Sequence, residues 1–333
     1  MKNALTLRQL CAFCLLAVSA PALTVCAAMP WPGVLAVSAV TAAFLTLCVR
    51  LWRRTEGTGL AVLMLRVFGR PAGTAVLLGE GLFAVVLLWR FAAGTDTAFP
   101  DAPTIPFVPL CLLIAAAWAA WQGRRACVRG ICVLFFFGAA LLIALALFAL
   151  PDVQPSRLLS PPGDVSVVPS AVLLLPVYGL FLAEPNQNPG AARWLPAFLL
   201  LPPAAAALCA AVPGAGGSLY TMAKSVEVLS VARRMEPLVS AALTAGWFAA
   251  LLLVILAFGE MAAALGSSRR WWALAAGLLA VPGALWRIPV PDVILLLGAV
   301  VFCGIFPLLT LLLVALKNNA QNREKGVDKG GAG

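Results

Sequence analysis

The sequence predicts an all-α integral membrane protein of about ten transmembrane helices. Three observations predict it. Hydrophobic residues make up 62% of the chain and charged residues 11%, with a mean hydropathy of +1.00, whereas soluble domains run about 45–50% apolar and about 25% charged. Apolar stretches long enough to cross a bilayer recur along the whole length, and the basic residues fall mostly between alternate stretches. At about 20 apolar residues per span, 333 residues hold roughly ten spans and no separate soluble domain.

The first stretch, 10–29, follows Lys2 and Arg8 and ends near Cys26, Ala27 and Ala28, a layout shared with signal peptides. Its length is large for a signal core, so it is read as a true span. The second, 33–52, ends in a run holding Arg50, Arg53 and Arg54, and the third, 72–93, carries Glu80 and Arg90. The fourth and fifth, 104–121 and 126–150, meet at Gly123-Arg124-Arg125. The sixth, 167–184, contains Pro176, Tyr178 and Gly179, and the seventh covers 194–212. Between 213 and 236, Lys224, Glu227, Arg233 and Glu236 stand among Val226, Val228, Leu229 and Val231, which reads as a short interfacial helix, either lidding an outward vestibule or resting on headgroups. Spans at 237–260, 271–287 and 291–316 follow, then a polar tail at 317–333. The breaks carry Pro, Gly, Asp and paired Arg, the residues expected where a chain leaves the hydrocarbon and turns.

With the amino terminus inside, 17 of the 23 Lys and Arg fall in inner segments and 5 in outer ones, with Arg90 near a helix end. Cytoplasmic loops are enriched in these residues, so both termini are expected in the cytoplasm. The net charge of +10 is then topological information plus attraction to anionic lipid, and nucleic-acid binding is set aside. Cysteines fall mainly inside apolar stretches and read as small core residues. Cys11 and Cys14 form a lone C-x-x-C, and with no His in the chain a metal site is not expected. With no His base, no run of carboxylates and no phosphate-binding loop, the chain is not expected to be an enzyme or to carry a cofactor. Sensing or passage of a small molecule within the bilayer is the expected role.

Paired interruptions point to where that molecule would bind, because unwound backbone frees N–H and C=O groups that are tolerated only beside a cavity. Ser19, Ala20 and Pro21 lie about twelve residues into span 1, and Pro176, Tyr178 and Gly179 lie at similar depth in span 6. The two spans enter from opposite sides, so the breaks would meet near the midplane of a five-plus-five inverted repeat. Glu80 is the intramembrane carboxyl best suited to a proton, a cation or a ligand amine. Arg90 and Glu260 lie near span ends and are expected to reach an interface.

Residues 218–238 resemble the segment before span 8 in the B subunits of endospore germinant receptors, which carry an Arg-[Leu/Met]-Glu-x-[Leu/Ile] run matched by Arg234, Met235, Glu236 and Leu238. Leu7-Arg8-Gln9-Leu10, Gly123-Arg124-Arg125, Leu150-Pro151-Asp152 and Leu158-Leu159 echo the family in order and spacing over nearly the whole chain. The chain departs from it at Ser19, Ala20 and Pro21, where glycine is usual, at Arg233, where Glu is usual, and at Trp247, about four residues beyond the usual tryptophan. The resemblance implies a helical core similar to amino acid permeases, adapted to sense a nutrient, most simply an amino acid, in the spore inner membrane or cell membrane. It also implies an A subunit and a lipoprotein C subunit as partners. On this reading Ser19, Ala20, Pro21, Glu80, Tyr178 and Gly179 bind the nutrient, while Lys224, Arg234 and Glu236 form a partner or lid segment. Two other roles remain open, an autonomous ion-coupled amino acid transporter and a structural subunit whose ligand site has decayed.

Overall fold

The structure is a computed structural model that describes residues 6–26, 30–55, 58–99, 107–159, 172–183, 200–212, 218–225 and 235–330. Every regular element among them is helical. α1 (Leu7–Cys26) and α2 (Trp31–Trp52) precede a 3₁₀ turn (Arg53–Thr55) and α3 (Leu60–Gly94). α4 (Phe107–Gln122), α5 (Arg124–Ala149) and the short α6 (Pro155–Leu159) follow, then a 3₁₀ segment (Leu175–Phe181). The chain continues through α7 (Leu201–Ala211), α8 (Leu219–Ser225), α9 (Glu236–Ala264) and α10 (Arg269–Trp286). The last span comprises α11 (Asp292–Gly298), a π turn (Ala299–Ile305) and α12 (Phe306–Gly330).

Five of these helical stretches are long and apolar enough to cross a membrane: Trp31–Thr55, Leu60–Ala98, Arg124–Asp152, Glu236–Ala264 and Asp292–Asn318. Arg8–Thr24, Phe107–Gln122 and Leu201–Ala211 are apolar but shorter. The chain is therefore a multi-pass membrane protein. Its lipid-facing side chains confirm the solvent it is built for, since Phe136 on α5 and Leu278 on α10 are 71% and 72% exposed. In water that apolar surface would be unfavourable by about 25 cal/mol for each Å².

α3 shows how length and membrane thickness are reconciled. A straight 35-residue helix would run about 52 Å against a hydrocarbon core of about 30 Å. The chain bends at Gly69, with φ 78° and ψ 165°, a backbone state open to glycine because it has no Cβ. The second half, from Arg70, spans the membrane; the first half carries Leu60, Leu63 and Met64 on its buried side and Val62 and Arg66 outward.

α9 is the central post. It is apolar all round, as a helix enclosed by protein is expected to be, and it packs against α1, α3, α4, α5, α8 and α10. The last helix runs to Gly330, into the stretch expected as a polar tail.

Candidate functional site

Span 1 does not unwind. α1 runs unbroken through Ser19, Ala20 and Pro21, which corrects the expected break there. Pro21 removes one N–H, that owed to the Ala17 carbonyl, yet the helix continues past it, as membrane helices tolerate where neighbouring helices and hydroxyl side chains support the backbone. Hydroxyls supply local bonds instead: Ser19 Oγ donates to the Leu16 carbonyl at 2.7 Å, and Thr24 Oγ1 lies 2.9 Å from the Ala20 carbonyl and 3.1 Å from that of Pro21. The face that was to hold a ligand packs instead on α9. A Cβ placed on Gly246 would lie 2.6 Å from Ala20 Cβ and 2.9 Å from Ser19 Oγ, so the two helices touch through small residues, the usual device for close packing in membranes. The nearby void, lined by Ser19, Leu16, Phe135, Gly138 and Pro176, measures about 50 Å³. That holds a water, whose share of liquid volume is about 30 Å³, and not an amino acid.

Span 6 does break. Leu175–Phe181 is a 3₁₀ segment in which the Val177 N–H bonds to the Leu174 carbonyl at 3.0 Å and the Leu182 N–H to that of Gly179 at 3.1 Å. Pro176 sits near its start, where the absent N–H matters least. Gly179 lies against α1, since a Cβ there would be 2.5 Å from Cys14 Sγ. A larger residue would push the segment off α1.

This turn carries Tyr178 into the interior, where its hydroxyl lies beside the Cys303 thiol and within electrostatic reach of Glu80. All three side chains are buried, Glu80 and Tyr178 at 1% exposure each. Glu80 Oε2 and the Tyr178 hydroxyl make no hydrogen bond within the protein, so the thiol neighbours the hydroxyl without a bond of regular geometry. Glu80 is thus enclosed by protein. Buried polar groups are nearly always satisfied, so two adjacent orphans form the strongest ligand signal in the described residues. Each arrives on irregular backbone or beside it. Pro307 has no N–H for the Cys303 carbonyl and its ring crowds that oxygen, and the chain widens into the π turn, where the Phe306 N–H reaches the Val301 carbonyl. Such turns occur frequently at functional sites. Glycines fit α3 against this turn: a Cβ on Gly79 would be 2.8 Å from the Phe302 ring.

Two further polar assemblies flank the centre. Glu260, expected to reach an interface, is buried and held by Arg124 Nη1 at 3.2 Å and Arg269 Nη2 at 2.7 Å. Opposed to it, Asp96 Oδ2 pairs with Arg287 Nη2 at 2.8 Å, and Trp247 Nε1 donates to Thr97 Oγ1 at 3.2 Å. On the same side as Thr97, a cavity of about 700 Å³ is walled by Phe99, Tyr220, Glu236, Ser240, Thr244 and Phe248. α8 thus contributes Tyr220 to an open hollow, and Lys224 lies over that ring at 5.1 Å. Glu236 Oε2 has no hydrogen-bond partner. Arg234 lies outside the described residues.

Of the expected binding residues, Glu80 and Tyr178 come within electrostatic reach of each other; Gly179 packs on Cys14 of α1; Ser19 and Ala20 are committed to the α9 crossing, with Pro21 buried one residue beyond. Cys303 and the π turn were not expected, although Pro307 inside an apolar run was their signal. The described cysteines are free thiols, Cys11 and Cys14 included, and among the described residues no cluster of His, Cys, Asp or Glu could hold a metal ion.

No protein-family model matches the chain, and no curated protein matches it. Among solved structures it is similar to MhsT in complex with L-phenylalanine, at 17% identity and a TM-score of 0.58, over 92% of this chain and 88% of that one. At that identity the likeness shows a shared all-helical membrane fold.

Proposed function

We propose that the chain is the membrane subunit of a spore germinant receptor, which binds the ammonium end of a small nutrient at Glu80 and Tyr178 and signals through partner subunits. The adjacent orphan carboxylate oxygen and hydroxyl carry this reading. A protonated amine offers up to three donors to such a pair, and a charge-assisted bond to a carboxylate is about twice as strong as a neutral one. In the described conformation the pair is enclosed, so binding requires the 3₁₀ segment or the π turn to move. The ligand drives the signal by favouring that opened state, and a near-complete switch takes a preference of about 5.5 kcal/mol. The short and interrupted segments complete ten spans in a five-plus-five repeat, with both termini in the cytoplasm and the 700 Å³ cavity facing out. The A subunit and the lipoprotein C subunit are the expected partners, docking at the segment holding Lys224, Arg234 and Glu236. No catalytic step is involved.

The test is affinity purification of the tagged chain from its native membrane in mild detergent. Recovery of a larger membrane partner with a lipoprotein supports the receptor; recovery of the chain alone overturns it. The second reading, an autonomous ion-coupled amino acid transporter, is favoured by the likeness to a protein solved with L-phenylalanine. Gradient-dependent uptake by proteoliposomes holding only this chain would select it. The third role, a structural subunit with a decayed site, draws on the unbroken α1, and absence of both partner-dependent sensing and uptake would select it.

A further inference from the structure

Two membrane spans end beside one basic hollow. Trp31–Thr55 and Asp292–Asn318 leave the apolar layer at Thr55 and Asn318, and both residues line a cavity of about 510 Å³ together with Arg66 and Lys317. Val67, Leu313 and Val314 form its apolar wall. The hollow therefore lies at the depth where hydrocarbon gives way to headgroups.

Its frame is built. Trp52 is buried and donates through Nε1 to the Thr58 carbonyl at 3.1 Å, and Thr55 Oγ1 donates to the Trp52 carbonyl at 2.7 Å. Asn318 Nδ2 donates to the Arg54 carbonyl at 2.9 Å, which ties the end of the last span to the turn after α2. Arg66 stands three residues before the Gly69 bend, on the face of the first half of α3 that points outward. Among the described residues, neither Arg66 nor Lys317 forms an ion pair and no carboxylate lines the cavity.

We propose that this hollow binds the phosphodiester headgroup of an anionic phospholipid. Arg66 presents a planar fork of donors that matches two phosphate oxygens, and Lys317 adds a compact second charge. Thr55 and Asn318 are the polar groups beside them, while Val67, Leu313 and Val314 lie where the first acyl carbons would run. A free phosphate would use the basic groups but leave that apolar wall in water, so the lipid is the better fit. The bound lipid bridges three elements, the 3₁₀ turn after α2, α3 and α12, next to the Gly69 bend, and so ties bilayer composition to the angle of the segment that leads to Glu80.

The test uses the full chain in mild detergent, titrated with phosphatidylglycerol, with phosphatidylcholine and with inorganic phosphate, and read by native mass spectrometry and by melting temperature. One phosphatidylglycerol is expected to be retained and to raise the melting temperature, with phosphatidylcholine and phosphate inert. A basic group near an anionic surface is worth about fivefold in affinity, so Arg66→Gln with Lys317→Gln should weaken retention about 25-fold. Arg66→Lys with Lys317→Arg should keep most of it. The Gln pair is at exposed positions, and an unchanged melting temperature in phosphatidylcholine shows that it folds. If it does not fold, each single Gln variant is read instead. Equal retention of phosphatidylcholine, or phosphatidylglycerol binding that the Gln variants leave intact, overturns the proposal. Stabilisation by phosphate alone replaces the lipid with a free anion and overturns it too.

Discussion

Gly246→Ala tests whether the crossing of α1 and α9 has displaced the ligand contact expected there. The added methyl would lie 2.6 Å from Ala20 Cβ, 2.9 Å from Ser19 Oγ and 3.0 Å from the Ala20 backbone nitrogen. Carbon atoms rest at about 3.5–4.0 Å, so the helices must separate by about 1 Å. Overpacking costs about 1–3 kcal/mol, and here the upper part of that range applies, because two of the three atoms cannot rotate aside. For a chain of this size the expected loss is about 3–4 °C in melting temperature. A thiol-reactive dye reports it, since Cys14, Cys48, Cys209 and Cys303 are buried and label on unfolding. Ala20→Gly removes the nearest atom but loses about 1 kcal/mol of helix propensity, so the diagnostic is the double-mutant cycle. Its coupling should be about 1–2 kcal/mol in the relieving direction. A Gly246→Ala protein that melts within about a degree of the parent, or a cycle with no coupling, would refute the packing argument and return Ser19 and Ala20 to the ligand.

Other expectations follow from the same geometry. Glu260→Gln removes the buried carboxylate that Arg124 and Arg269 share and should destabilise by about 3 kcal/mol, whereas Arg269→Gln, whose side chain is 45% exposed, should lose under about 1 kcal/mol; melting curves with the reverse order would sink this account. Tyr178→Phe removes a buried hydroxyl whose polar neighbour is the Cys303 thiol, so the unliganded protein should change in stability by no more than about 1 kcal/mol, while the nutrient response falls; a response left unchanged removes Tyr178 from the site. Gly94→Ala would place a methyl 2.5 Å from the Trp247 ring and should lower the melting temperature, with Trp247→Phe restoring part of the loss; failure of that rescue contradicts the contact.

Much of the architecture was legible because a bilayer leaves few choices. Each apolar run had to become helix, since no water satisfies backbone groups in hydrocarbon, and the runs near 33–52, 126–150 and 237–260 reappear as α2, α5 and α9 with shifts of a few residues. The break in span 6 was legible for a related reason, as Pro176 and Gly179 both disfavour α-helix. The same reasoning failed at Pro21. There the damage is a single carbonyl, that of Ala17, and Ser19 and Thr24 place hydroxyls on nearby carbonyls. Of the two arginines that hold Glu260, Arg269 lies just beyond the end of its helix, but Arg124 is 136 residues away, a distance that no local pattern spans. Cys303 was read as a core residue, which it is by burial; only the three-dimensional meeting with Tyr178 and Glu80 gives it a second meaning.

The enclosure of α9 bears on how the chain is made. Four of the helices that contact it, α1, α3, α4 and α5, precede it in the sequence, and α10 follows at once. As the ribosome delivers residues 236–264, most of the cradle is already in the membrane, and the new helix exchanges the translocon for protein neighbours instead of lipid. Nascent chains halted just after Ala264 should then carry a protease-resistant core that chains halted before Glu236 lack, and the step between the two lengths would mark the moment when five inserted helices become one assembly.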